Sequence, residues 1–219
     1  MKSIVAVVLA VCMASTRAQP LAIPSQLDAQ VRNVVDEMAE IGKNAGEALA
    51  HQYEEIIVEP QHELEEAVDQ VEARRAESPE CVAAEDEKIT HILDAAHDEM
   101  HSCSVVAAHT SAEIATDVSA ATQQLTFGGY ALGRTYNHCQ SYKSSVLKQT
   151  CMAKFYVQAS IYLISARSSI KTIRQSTNQR IPAVFAEGNV CTHDASAQAI
   201  LGLEEVNRHI DACVSRRHR

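Results

Sequence analysis

The sequence predicts an all-α protein: an elongated, disulfide-linked antiparallel helical bundle with an N-terminal coiled-coil-like helical arm. Three observations carry that prediction. Residues that enter helices cheaply dominate: of 219 residues 33 are Ala, while Gly (7) and Pro (5) are few and aromatics make up only 4%. Such a composition argues against collagen-like, Pro/Gly-rich disordered and many-turned β classes. Apolar residues recur at alternating steps of three and four along four long segments. Six Cys remain once an apolar leader is set aside, an even number that reads as three disulfides in an oxidising compartment.

Residues 1–18 read as a secretory signal peptide. Met1-Lys2-Ser3 is a short positive start, residues 4–13 are an unbroken apolar run, and Thr16 and Ala18 are the small residues expected before cleavage at Gln19. The run is too short for a membrane span of ~20 residues. Val11 before Cys12 lacks the small side chain of a lipoprotein site. Loss of Lys2 and Arg17 would move the net charge from −9 to −11. A chain this acidic does not suit phosphate neutralisation, so a nucleic-acid partner is excluded. The expected product is secreted, extracellular and not membrane-spanning.

Residues 19–77 read as a separable, Cys-free helical arm. Leu27, Val31, Val34, Met38, Ile41, Ala45 and Ala48 step 4, 3, 4, 3, 4, 3, the seam of a coiled coil. Pro60 should kink or break the helix. Residues 78–214 read as the disulfide-linked helical bundle, opened by Ser78-Pro79 in the Ncap–N1 arrangement. Its first stripe is Ile89, Leu93, Ala96, Met100, Cys103, Ala107, Ile114, Val118, Ala121 and Leu125. Gly128, Gly129 and Gly133 should break the helix. A third segment, from about Asn137 to Arg174, carries Cys139, Tyr142, Val146, Thr150, Ala153, Val157, Ile161 and Ile164 as its core stripe. Its β-formers make a strand the competing reading of residues 154–164, but a lone strand has nothing to pair with. Residues 176–189, with Pro182 and Gly188, read as a linker. The last segment, Thr192 to Cys213, has Ala199, Leu203, Val206 and Ile210 in its stripe, and residues 215–219 form a basic tail.

Cys81 and Cys103 are 22 residues apart, as are Cys191 and Cys213. A helix rises 1.5 Å per residue, so neither pair can bond to itself. With a loop at residues 176–189, the second and fourth segments would run parallel. That places Cys81 beside Cys191 and Cys103 beside Cys213, and leaves Cys139 with Cys151 across a bend.

No motif for turnover is present. There is no G-x-S-x-G elbow, no Walker loop and no G-x-G-x-x-G strand–turn–helix. His97 and His101 stand one helical turn apart beside Asp94 and Asp98, a spacing that would suit zinc or copper. His97-Asp98-Glu99-Met100-His101 imitates the zincin pattern, but Asp98 stands where Glu is required and no third ligand is evident. A solvated polar flank is the plainer account. Phe155, Ile161, Leu163 and Ile164 are the candidates for a pocket holding small apolar ligands; ordinary core is the plainer account of them. No catalytic residues and no cofactors are expected.

The Cys-bearing region from Cys81 to Cys213, including Cys139, Tyr142 and Cys151, behind a signal peptide and a helical arm, resembles secreted insect helical proteins of the tsetse EP type. The resemblance implies a secreted helical region and carries over no functional residues. The namesake's Glu-Pro repeats are absent, with only Glu59-Pro60 present. The expectation that follows is a secreted, non-enzymatic helical protein acting through protein binding or self-association, with the N-terminal heptad seam as the contact. The alternative is an extracellular carrier of small, lipid-like ligands between its helices.

Overall fold

The computed structural model describes residues 23–217. These are 96% helical and contain no strand. Helix α1 spans Ser25–Tyr53 and passes through a π-helical turn, Glu54–Val58, into α2, Glu59–Glu77. A short α3, Pro79–Ala83, precedes α4, Asp86–Ser141, and α5, Ser145–Arg217. The signal peptide expected at residues 1–18 lies outside the described residues.

Pro60 does not break the chain; the π turn absorbs it. Proline has no N–H for the carbonyl one turn back, and its ring crowds that carbonyl. Widening the preceding turn relieves both, and the Glu59 N–H donates to the Glu54 carbonyl five residues earlier. Pro60 is buried, and its carbonyl accepts a 3.1 Å hydrogen bond from the Ser196 hydroxyl.

Two expected interruptions do not occur. Gly128, Gly129 and Gly133 lie inside α4, with no glycine among the described residues at positive φ. Gly128 acts as a packing notch: a Cβ there would lie 2.5 Å from Tyr162 Cε2. The chain reverses instead at residues 142–144, between Cys139 and Cys151, as that disulfide requires. Residues 176–189 are helical rather than a linker, and α5 runs through Pro182. Buried Thr177, Ile181, Val184 and Gly188 hold the backbone on both sides, so lost hydrogen bonding at the exposed Pro182 is outweighed by packing.

The helices contribute to two compact units: one of residues up to Ala48 with Ala112–Ile181, the other of Leu49–Ser111 with Pro182–Arg219. These units do not follow the expected boundary between residues 77 and 78. In unit 1 the seam of α1, Val31, Val34, Met38 and Ile41, joins Leu125, Leu132, Cys139, Phe155, Ala159, Leu163, Ala166 and Ile170 in one core. The described part of the expected arm, residues 23–77, is therefore not separable with a free seam. The seam is the inside of unit 1, because Ala159 and Ala166 on α5 leave room for its larger side chains. In unit 2, Leu64, Val71, Val82, Ile89, Met100, Leu203, Val206 and Ile210 are core, with Ala96, Ala195 and Ala199 as the small positions.

The disulfides are Cys81–Cys213, Cys103–Cys191 and Cys139–Cys151. The last is the expected pair. The first two are crosswise to the expected Cys81–Cys191 and Cys103–Cys213. The cause is the absent linker. With one reversal between α4 and α5, the two helices run in opposite directions, so moving 22 residues forward on one means 22 backward on the other. Lys88–Glu205 at 2.9 Å and His209–Glu85 at 3.3 Å follow the same antiparallel pairing in unit 2. Arg180–Glu113 at 3.0 Å follows it in unit 1.

Candidate functional site: an outward apolar ridge on α5

Between Ser145 and Arg180, α5 carries two apolar stripes. A period near 3.6 residues permits both, on different sides of the cylinder. One is Phe155, Ala159, Leu163, Ala166 and Ile170, and it is buried in the unit 1 core. The other is the stripe expected to be core. It faces solvent: Val146 is 69% exposed, Val157 60%, Ile161 59% and Ile164 68%. Phe155 wins the inside through its packing with Tyr136, ring centroids 5.3 Å apart, beside the Cys139–Cys151 bridge. Tyr162 holds the same rotation of the helix, donating a 2.8 Å hydrogen bond to the Leu125 carbonyl. Its burial pushes the phenol up to about 12.

The expected ligand pocket is therefore not assembled. Phe155 and Leu163 are core, whereas Ile161 and Ile164 point the other way. His97 and His101 are both exposed on α4. Among the described residues no group of three or more His, Cys, Asp or Glu is placed to hold a metal ion.

The ridge has a distinctive electrostatic setting. From residue 118 to residue 186 there is no Asp or Glu, but there are eight Lys or Arg. Arg174 pairs with Glu37 of α1, and Arg180 bridges Glu113 and Asp117. Lys154, Arg167 and Lys171 are exposed and enter none of the salt bridges among the described residues. Helical spacing sets Lys171 on the same face as Ile164, with Lys154 and Arg167 flanking the ridge. This surface is basic and aliphatic within an acidic chain. Sequence reasoning named its apolar members and assigned them inward. The missed signal is the lysine and arginine interleaved with them, which a buried stripe would not tolerate unpaired.

Unit 2 carries a groove of about 210 Å³ beside the Cys103–Cys191 bridge, lined by Ser102, Val106, Ala107, Val184, Glu187 and Gly188 among others. Beside it, Ile56 packs against the backbone of Gly188, where a Cβ would meet Ile56 Cδ1 at 3.0 Å. The groove is smaller than the ~300–1,000 Å³ of typical small-molecule sites. Elsewhere in unit 2, Arg75 binds Glu72 at 2.8 Å and Asp86 at 2.6 Å, tying α2 to the start of α4. Hydrogen bonding to Arg75 holds both carboxyls below the ordinary carboxylate range, and Lys88 does the same to Glu205.

Fold and site together define an all-helical, triply disulfide-bonded protein whose distinctive surface is a basic aliphatic ridge. A family model described as "Protein of unknown function (DUF725)" matches residues 77–197, more than half of the chain, and the chain belongs to that family. No curated protein and no solved structure matches it. No helix among the described residues is long and apolar enough to cross a membrane.

Proposed function

We propose that this is a secreted, non-enzymatic protein, an antiparallel helical bundle clamped by disulfides, that acts by protein binding or self-association through the α5 ridge. The observation supporting this is the second apolar stripe: Val146, Val157, Ile161 and Ile164 are all more than half exposed on one helix face. Contiguous exposed aliphatic surface of this kind marks an interaction site more often than isolated exposed residues do. The contact once expected of the N-terminal seam passes to this ridge, because the seam is used up inside unit 1. Export fits the three disulfides and the apolar leader, and the resemblance to tsetse EP-type proteins points the same way.

The test is a photo-crosslinker placed at Ile164 in the full chain within the fluid into which it is secreted. A discrete adduct at that position, lost when Ile161 is replaced by Asp, supports the reading. A ridge that forms no adduct, in a chain shown to be folded and fully disulfide-bonded, overturns it.

A further inference from the structure

We infer that the occupant of the α5 ridge is the acidic unit 2 of a second copy of this chain, joined head to tail. The inference rests on the reading of the ridge as the working surface and adds the partner to it. Its ground is the division of charge within one molecule. Over the described residues, unit 1 carries ten Lys or Arg against seven Asp or Glu, whereas unit 2 carries six against 21. Each copy thus presents both a cationic face and its electrostatic complement.

The two faces also match in shape and local chemistry. The ridge protrudes from a single helix and offers branched aliphatic side chains. The groove on unit 2 is apolar, with Val106, Ala107, Val184, Gly188 and the Cys103–Cys191 bridge around it, and is about 210 Å³ in volume. That holds one or two such side chains. Carboxylates stand at its rim: Glu187 lines it. Glu99, one turn before Cys103, and Asp194, one turn after Cys191, lie on the same helix faces. All three are exposed and enter none of the salt bridges among the described residues. Lys154, Arg167 and Lys171 beside the ridge supply the opposite charges. An anionic bilayer would also attract those cations, but it would repel the acidic remainder of the chain. In self-association that same acidity is the attraction.

Ridge and groove are different surfaces, so a single contact is heterologous and leaves one ridge and one groove open to further copies. This gives a decisive experiment by sedimentation velocity. The wild-type processed protein should show a mass average that rises with concentration at low salt and falls back to monomer in high salt. A ridge-defective copy (I161D/I164D) and a groove-defective copy (E187K/D194K) should each be monomeric alone. Mixed, they should form a one-to-one dimer and nothing larger, because one intact ridge and one intact groove remain. The milder Ile164→Ser and Lys171→Ala ridge variants serve in place of the first copy if it does not form its three disulfides. A wild type that stays monomeric at every concentration overturns the inference, as does a mixture that does not pair. Binding of monomer to phosphatidylserine vesicles without self-association overturns it equally. In the crosslinking test, an adduct of twice the chain mass fits this inference; an adduct of another mass removes it but leaves the ridge as the binding surface.

Discussion

Tyr162 of α5 lies against Gly128 of α4 so closely that a Cβ on the glycine would come within 2.5 Å of Tyr162 Cε2 and 2.8 Å of its Cδ2. The ring cannot swing aside freely, because its hydroxyl donates to the Leu125 carbonyl at 2.8 Å. Gly128→Ala should therefore destabilise unit 1 by about 1–3 kcal/mol, as overpacking does, even though alanine is the better helix former by about 1 kcal/mol. Denaturant unfolding of the full chain checks the sign. Increased stability would mean that the tyrosine yields at no cost.

The same tyrosine reports its burial spectroscopically. Tyr162, pushed up to about 12 by burial, should titrate later than an ordinary phenol at about 10. Tyr162→Phe should abolish the lagging step in an ultraviolet pH titration and cost about 1 kcal/mol for the lost hydrogen bond. Loss of amplitude in the ordinary phenol range, rather than above it, would place the ring in solvent.

The neighbouring stripes of α5 separate core from surface within a single turn. Phe155 is fully buried and Ile161 is 59% exposed. Phe155→Ala should cost about 3–5 kcal/mol; Ile161→Ala should stay within about 0.5 kcal/mol. Thermal or denaturant unfolding of the two variants, measured at a concentration where the chain is monomeric, decides the matter. Equal losses would show that both residues are inside.

Periodicity made much of this architecture readable in advance. Of the seven seam positions that the alternation marks as core, the six from Leu27 to Ala45, together with the stripe Ala199, Leu203, Val206, Ile210, are buried or packed on a core. Periodicity could not say which of two stripes on α5 turns inward, because both satisfy the same repeat; that choice is made by Phe155 and Tyr162 through partners distant in sequence. Glycine and proline misled for a related reason. A residue that breaks an isolated helix is retained in one whose flanks are packed, as Gly128 and Pro182 are. Once the helix through Pro182 is admitted, α4 and α5 are antiparallel and the crosswise disulfides follow. The ridge was legible as apolar residues, and its exposure was legible only in the cations between them.

The long-loop bridges should matter more than the short one. Cys103–Cys191 closes 88 residues and Cys139–Cys151 closes 12. Loop-closure entropy assigns about 4–5 kcal/mol to the former and about 3 kcal/mol to the latter. Replacing each pair by serine and comparing denaturation midpoints should reveal that order. Partial proteolysis without reduction should recover Cys81 joined to Cys213; recovery of Cys81 joined to Cys191 would restore the parallel arrangement and remove the single reversal at residues 142–144.

Acid should loosen unit 2 through Arg75. Its hydrogen bonds hold the carboxyls of Glu72 and Asp86 below their ordinary 4.5 and 3.8. In the unfolded chain these groups regain the ordinary values, so around and below those values the unfolded form binds more protons than the folded form. Stability from this cluster is fully present above about pH 5, where both forms are ionised. It declines as the pH falls through the unfolded values, and is gone once the folded carboxyls are protonated. The guanidinium stays charged throughout and adds no pH dependence of its own. Wild type and Arg75→Ala should therefore differ most in melting temperature at neutral pH, and the difference should shrink as the pH falls from about 5 towards 3. Other carboxylates, Glu205 beside Lys88 among them, contribute equally to both proteins and cancel in that comparison. A gap between the two melting curves that stays constant from pH 7 to pH 3 would show that Arg75 acts through packing of its stem and not through the two carboxylates.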